Sequence, residues 1–392
     1  MEICSNRIKS IKSDIRGENY RKSLELEAGG EKILKLNTGN PAAFGFKMPE
    51  SVKNALIENI GFSLGYTDVR GTAAAREAIL SYHESKGIKN ISIDDIYTGN
   101  GVSEIASMIS TVLINPGDEV LLPLPCYSLW HNEILLRDGV PVFYNCDEKN
   151  SWAPDVNHIK KLISPKTKAI LIINPNNPTG ALYSDKTLRE IADIAEKNNL
   201  IVLADEIYDR LLFDGKKHKT FASFSENVTT VTMNGLSKSH CLCGFRCGWL
   251  VLSGPRKKEI NDALIKVASM RLCPGALMQQ IIPVALKDTQ YTENFVKELD
   301  KRRKAVFSAL DEIKEISYVK NEGGFYIFPK IHREILNDKK FAYDLLCTKQ
   351  ILIVPGSGFS YDNSDHFRIV MLPDEKTLTT AIGKIGEFVR EM

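Results

Sequence analysis

The chain has 392 residues, 43% hydrophobic and 26% charged, and its 51 basic and 49 acidic residues leave a formal charge of +2. That length exceeds what one hydrophobic core fills, so a large domain with a smaller companion is expected, and the composition excludes a mainly disordered chain. With no block of either charge, no apolar run of roughly 18 to 20 residues and no apolar stretch behind a basic one near Met1, the reading is a soluble cytoplasmic protein that binds neither nucleic acid nor membrane.

Residues 1–45 form a lysine-rich segment closing in Leu36-Asn37-Thr38-Gly39-Asn40-Pro41, where glycine and proline mark a turn. It is too short for a domain and is expected to pack on the small domain or on a partner subunit. A large domain is expected over 46–290. Ser92–Tyr97 leads into Gly99-Asn100-Gly101-Val102-Ser103-Glu104, after which Ile105, Met108, Ile109, Val112 and Leu113 recur at helical spacing. Glu119–Pro123, Ala169–Ile173 and Leu200–Ala204 are short apolar strands, and a helix carrying Leu188, Ile191, Ile194 and Ala195 lies between the last two. Apolar runs alternating with amphipathic helices predict a mostly parallel sheet covered on both faces. In such sheets ligands bind beyond the carboxyl ends of the strands, where Asn177, Asp205 and Tyr208 fall.

The glycines at 99 and 101 superficially fit a dinucleotide fingerprint, but Glu104 occupies the third glycine position. A phosphate monoester suits the segment better, because the N–H groups of Gly101, Val102 and Ser103 would point outward from a helix start; a plain capped helix is the competing reading. Asp205 is either the polar end of a buried strand or a carboxylate placed to favour a protonated pyridine ring.

Lys238 stands in Asn234-Gly235-Leu236-Ser237-Lys238-Ser239-His240-Cys241-Leu242-Cys243-Gly244-Phe245-Arg246-Cys247-Gly248-Trp249. A lysine among small residues, downstream of Asp205-Glu206-Ile207-Tyr208, suits Schiff-base chemistry with an aldehyde cofactor that serves as electron sink. Cys241, Cys243 and Cys247 lack the paired spacing of structural zinc sites and read as small, reduced packing residues, so no metal is expected. The small and apolar flanks of Arg246 and of Arg368 predict buried guanidinium groups with anionic partners. A long helix from about Thr292 to Leu310 precedes the short strand signals Ile316–Val319, Gly324–Phe328, Ile351–Val354 and His366–Met371, and a small α+β domain is expected over 291–392.

Asn177-Pro178-Thr179-Gly180, Asp205-x-x-Tyr208, Ser237-Lys238 and Gly244-Phe245-Arg246-x-Gly248, in this order, resemble the class I/II aminotransferases of pyridoxal-phosphate fold type I. The resemblance runs from Asp14-Ile15-Arg16-Gly17 to the Arg368 strand. Within the family, Asn234–Lys238, Ser269–Pro274 and Leu36–Phe46 are most similar to the alanine (glutamate-pyruvate) aminotransferases. The resemblance implies an α/β fold with pyridoxal 5'-phosphate linked to Lys238, which also shuttles the substrate proton. Asp205 would meet the pyridine nitrogen, Asn177 and Tyr208 the ring oxygen, and Tyr127 the ring face. Gly101, Val102, Ser103, Ser237 and Arg246 would bind the phosphate, with Tyr66 reaching in from the partner of a homodimer. Arg368, helped by Gly39 and Asn177, would bind the α-carboxylate, while Arg16 and Arg271 are candidates for a distal carboxylate or for pairing with acids. Many relatives carry serine where this chain has Gly235, which leaves Ser237 to compensate.

The implied reaction moves the amino group of L-alanine to 2-oxoglutarate, giving pyruvate and L-glutamate. One methylene is worth only about 1 to 3 kcal/mol of discrimination, so aspartate, aromatic or branched donors compete. A β-lyase or a non-catalytic regulator could be built on the same fold; only about 40 residues precede the main domain to supply the DNA-binding extension such regulators need.

Overall fold

The central element is a sheet of eight strands: β1 (Ile96–Asn100), β2 (Glu119–Leu124), β3 (Val140–Asp147), β4 (Ala153–Pro154), β5 (Thr167–Ile173), β6 (Ile201–Asp205), β7 (Thr230–Gly235) and β8 (Cys247–Ser253). The computed structural model describes residues 3–11, 13–333, 337–363 and 365–392, and of residue 14 the backbone alone. The spatial order is β1-β8-β7-β6-β5-β2-β3-β4. From β7 across to β3 all neighbours pair in parallel, whereas β8 runs antiparallel to β7 and β1, and β4 antiparallel to β3. The sheet is therefore mostly parallel, as expected of this α/β chain. One edge of it collects the carboxyl ends of β1, β2, β5, β6 and β7 together with the start of β8.

The strands form because their apolar residues are covered on both faces. Ala169 to Ile173 and Ile201 to Ala204 are all buried, and each large aliphatic side chain removed from water contributes about 1.5–3 kcal/mol. The helix Asp185–Lys197 begins where Ser184 Oγ accepts the Thr187 N–H at 3.1 Å, and it lays Leu188, Ile191, Ala192, Ile194 and Ala195 on the sheet. No strand is expected from the sequence at β3, β4, β7 or β8. In β7, Thr230, Thr232 and Asn234 are buried polar residues that interrupt the apolar run by which the other strands are read.

Three glycines lie side by side at the carboxyl edge, Gly99 of β1 opposite Gly248 of β8, and Gly248 opposite Gly235 of β7. A Cβ on Gly248 would stand 2.5 Å from both Gly101 C and Val102 N. A side chain is thus excluded where the turn into the helix Val102–Leu113 crosses the strand ends.

The smaller unit holds short paired strands, Ile316–Ser317 with Lys330–Ile331, and Tyr326–Ile327 beside Phe367–Val370 beside Val354–Pro355. The helices Thr289–Asp311 and Glu375–Glu391 pack there. From the amino-terminal segment, Leu34–Lys35 pairs in parallel with Ile351–Leu352. Leu36 continues this strand, donating to Leu352 O at 2.8 Å and accepting from Val370 N at 3.0 Å. A single apolar core joins Ile207, Tyr208, Leu211 and Phe213, which follow β6, to Leu36, Phe295, Leu299, Phe325, Tyr326, Phe367 and Ile369. The seam between the two units thus runs through the residues just beyond the sheet edge. Among the described residues, no helix is long and apolar enough to cross a membrane.

The packing at Gly248 carries a consequence for stability. Gly248→Ala has only backbone atoms to displace and is expected to lower the unfolding free energy by about 1–3 kcal/mol, measured as a fall in the urea midpoint. An unchanged midpoint contradicts this account of the glycine row.

Candidate active site

Two cations, the half-buried Lys238 and the buried Arg368, are held by carbonyls of one turn. Lys238 lies in the short helix Leu236–Ser239 that follows β7 directly, and its Nζ donates to Gly39 O at 3.0 Å. Arg368, 2% exposed in the strand Phe367–Val370, donates through Nη2 to Asn37 O and through Nη1 to Asn177 Oδ1 at 3.0 Å. Its guanidinium lies over the rings of Tyr326 and Phe359 at 4.3 and 4.9 Å, while its Nε has no hydrogen-bond partner. Among the described residues no carboxylate is paired with Arg368, and burial lowers its pKa. A buried guanidinium without a counter-ion is costly unless a ligand anion completes it. For Lys238, burial works against the ammonium but Tyr326, Cys243 and Tyr127 outweigh it, so the pKa is raised.

A buried charge of the other sign faces them. Asp205 ends β6, where Oδ2 accepts from Trp130 Nε1 at 3.0 Å and Oδ1 from the Ile207 N–H at 3.3 Å. Both donors are neutral, and among the described residues no basic side chain is ion-paired with Asp205. Burial raises its pKa, against the two hydrogen bonds and the more distant charge of Lys238. Tyr208 is buried and donates to Tyr326 Oη at 3.1 Å. Tyr127 precedes the helix Ser128–Leu135, and burial raises its pKa while nearby Lys238 and Arg368 lower it.

On the glycine floor, Gly101 has φ +79° and opens the helix Val102–Leu113, whose start no side chain caps. The first N–H groups of an uncapped helix start can take an anion. Glu104 locks this turn by accepting from Asn100 N at 2.8 Å and Asn100 Nδ2 at 2.9 Å. Ser103 is exposed and Ser237 buried. Arg246 adopts the left-handed conformation at φ 56° and donates to Cys243 O at 2.9 Å and Asn100 O at 3.3 Å. It is exposed, contrary to the burial its flanks predicted. The guanidinium lies instead across the floor at Gly101, where a Cβ would come within 2.2 Å of Arg246 Nη2. A serine at 235 has no room in this conformation, since a Cβ there would lie 2.5 Å from Cys247 O. Tyr66 is 84% exposed and makes no contribution to the site within its own chain.

The two arginines considered for a distal carboxylate differ in their commitments. Arg271 is engaged by Glu104, by Val69 O at 3.1 Å and by Thr98 O at 2.8 Å, so it is paired with an acid. Arg16 is exposed, and its neighbour Ile15 accepts from Asn37 Nδ2 at 3.0 Å, so the segment docks on the turn that holds Arg368. Asn37, Trp130 and Tyr326 escaped the sequence reading. Trp130 had a local signal, lying in the first turn of the helix that Tyr127 precedes.

The family profile for aminotransferase class I and II matches residues 31–385. The chain is 44% identical to the glutamate-pyruvate aminotransferase AlaA of Haemophilus influenzae, over 99% of this chain and 98% of that protein. A crystal structure of an aminotransferase from Escherichia coli superposes with a TM-score of 0.97 at 40% identity, covering 100% of this chain and 98% of that one. The alanine aminotransferase of Pyrococcus furiosus gives a TM-score of 0.96 at 37% identity, over 99% of this chain and 100% of the other. The chain belongs to the class I and II aminotransferases.

The environment of Asp205 predicts a trade of stability against activity. A raised carboxyl pKa means that the ionised form weakens the fold above that pKa and has no effect once both states are protonated. Asp205→Asn is therefore expected to raise the melting temperature of the ligand-free protein at neutral pH by about 2 °C, with the gain vanishing below about pH 4. Aminotransferase activity should fall by at least about 100-fold. A variant less stable at neutral pH, or fully active, contradicts this reading.

Proposed function

We propose that this aminotransferase moves the amino group of L-alanine to 2-oxoglutarate, giving pyruvate and L-glutamate, with pyridoxal 5'-phosphate held at Lys238. The observation that carries the reading is the pair of cations, half-buried Lys238 and buried Arg368, anchored on carbonyls two residues apart in one turn, Gly39 O and Asn37 O. An amine-reactive centre and a carboxylate anchor fixed to one turn match an α-amino acid, whose nitrogen and carboxyl group share one carbon. The alanine donor is supported by the 44% identity to a glutamate-pyruvate aminotransferase.

The unpaired groups fit the cofactor. Among the described residues, Asp205 lacks the cation that a protonated ring nitrogen would be, and neither the first N–H groups of the uncapped helix at Gly101 nor the adjoining Arg246 is paired with an acidic side chain. When bound, pyridoxal phosphate supplies an aldehyde for covalent attachment and a ring that accepts the electron pair left at Cα. Lys238 would hold it covalently, Asp205 would face the ring nitrogen, Asn177 and Tyr208 the ring oxygen, and Tyr127 the ring face. The phosphate would rest on the N–H groups of Gly101, Val102 and Ser103, with Ser237, Arg246 and the partner's copy of Tyr66 around it.

The chain's own groups then divide the work. Arg368, with Asn177 and Gly39, would grip the α-carboxylate and orient the Cα–H bond, satisfying the guanidinium that burial leaves short of an anion. Lys238 Nζ, once free, would take the Cα proton and return it to the cofactor carbon that had carried the aldehyde, across the substrate nitrogen from Cα. Trp130, a donor that cannot accept, would keep Asp205 ionised and oriented. Arg16, docked beside the same turn and free of the commitments of Arg271, would meet the distal carboxylate of 2-oxoglutarate. Closing the seam between the large unit, 46–290, and the small unit, 291–392, would exclude water.

A panel of amino donors with 2-oxoglutarate as acceptor should give pyruvate from alanine as the leading keto acid, with ping-pong kinetics. Negligible pyruvate alongside turnover of another donor removes the alanine assignment and leaves the transaminase. Phe62, Leu64 and Tyr66 are 81%, 92% and 84% exposed, an apolar strip that supports a second copy of the chain covering this face. Sedimentation at assay concentration should find a homodimer; a fully active monomer contradicts the shared pocket.

A further inference from the structure

We infer that Tyr326 is a positioning residue that couples the carboxylate anchor Arg368 to the hydroxyl of Tyr208; this rests on the cofactor reading above. Tyr326 is 3% exposed and touches each party directly. Its hydroxyl accepts from Tyr208 at 3.1 Å, and its ring lies 4.3 Å from the Arg368 guanidinium. Gly39, whose carbonyl holds Lys238, abuts the same hydroxyl so closely that a Cβ would lie 2.1 Å from it. The backbone of Tyr326 is paired with Val370, two residues beyond Arg368 on the anchoring strand. One side chain of the small unit therefore meets the anchor, the turn and the aromatic hydroxyl beyond β6.

A phenol carries one proton, and Tyr208 directs its proton to Tyr326. An anionic oxygen accepts more strongly than a neutral phenol. Beside the cofactor's ring oxygen, the Tyr208 proton turns to that oxygen, and Tyr326 becomes the donor to Tyr208. Such a chain strengthens the final hydrogen bond, which favours the deprotonated ring oxygen and lowers the pKa of the proton it shares with the Lys238 nitrogen. On the ring face, Arg368 is held by cation–π attraction. The Tyr326 hydroxyl and ring therefore perform separable tasks, one on proton affinity and the other on carboxylate binding.

The holoenzyme is titrated by absorbance in its unaltered form and as Tyr208→Phe, Tyr326→Phe and the double variant. Tyr326→Phe is expected to raise the chromophore pKa by about half a pH unit. Tyr208→Phe should raise it further, and the double variant should match Tyr208→Phe because Tyr326 acts through it. An unmoved pKa in Tyr326→Phe, or a double variant showing the sum of the single shifts, overturns the inference. Tyr326→Leu, which also removes the ring under Arg368, should raise the KM for 2-oxoglutarate about tenfold, against less than about twofold for Tyr326→Phe. Equal KM values for the two variants overturn the link to Arg368. The Phe variants keep the packed ring, so the titration remains decisive where the Leu variant fails to fold. Absence of any band that depends on Lys238 in the unaltered protein sinks the cofactor reading and this inference with it, whereas a normal band with an unmoved pKa sinks only the role of Tyr326.

Discussion

Charges buried without partners govern this site. Among the described residues, Arg368 has carbonyl and amide oxygens around it but no carboxylate, and Asp205 has an indole and a backbone N–H but no cation. Each such group weakens the ligand-free fold, because hydrogen bonds from neutral groups do not replace the hydration of a charge. Their opposition defines what is missing: a cation against Asp205 and an anion against Arg368. A cationic ring and a carboxylate substrate, as proposed, would satisfy both at once and draw binding energy from strain that the fold already carries.

The sheet makes this arrangement possible. Parallel strands bring Asp205, Gly235 and the segments after β2 and β5 to one edge, and the two antiparallel pairings of β8 bring Arg246 to the same edge from the opposite direction. The glycine row at 99, 248 and 235 flattens that edge, allowing a helix start and a guanidinium to meet where side chains would otherwise stand. Across the seam, the Asn37–Gly39 turn and the Tyr326 and Arg368 strands supply the other wall. The turn is fixed because Leu36 is hydrogen-bonded between Leu352 and Val370. Moving the small unit would therefore move the carboxylate anchor and the lysine's carbonyl partner together.

Legibility in the sequence followed the range of the interactions. Asp205 and Tyr208 were readable as candidates because they lie at and just beyond the end of an apolar strand, and Lys238 because it stands in a short motif whose neighbours are local in the chain. Arg368 announced itself by being a charge inside an apolar strand. Asn37 and Tyr326 were unreadable as site residues, since their partners lie across the seam and are set by tertiary packing: Asn37 acts through a backbone carbonyl, and Tyr326 resembles any aromatic of a buried strand. Arg246 misled in the opposite sense, because its exposed guanidinium is placed by Gly101 and the Asn100 carbonyl, both remote in the chain, and not by its own small neighbours. Among the strands, β7 was hidden by its buried threonines and asparagine, whose polarity breaks the apolar run without breaking the hydrogen-bonded ladder.

Covalent capture of an aromatic aldehyde by one amine, Lys238, is the central claim. Borohydride reduction of protein saturated with pyridoxal 5'-phosphate, followed by peptide mapping, tests it most directly. The expected result is a reduced pyridoxyl group on Lys238 and stoichiometric with the chain. A remnant on another lysine, or none on the saturated protein, contradicts it.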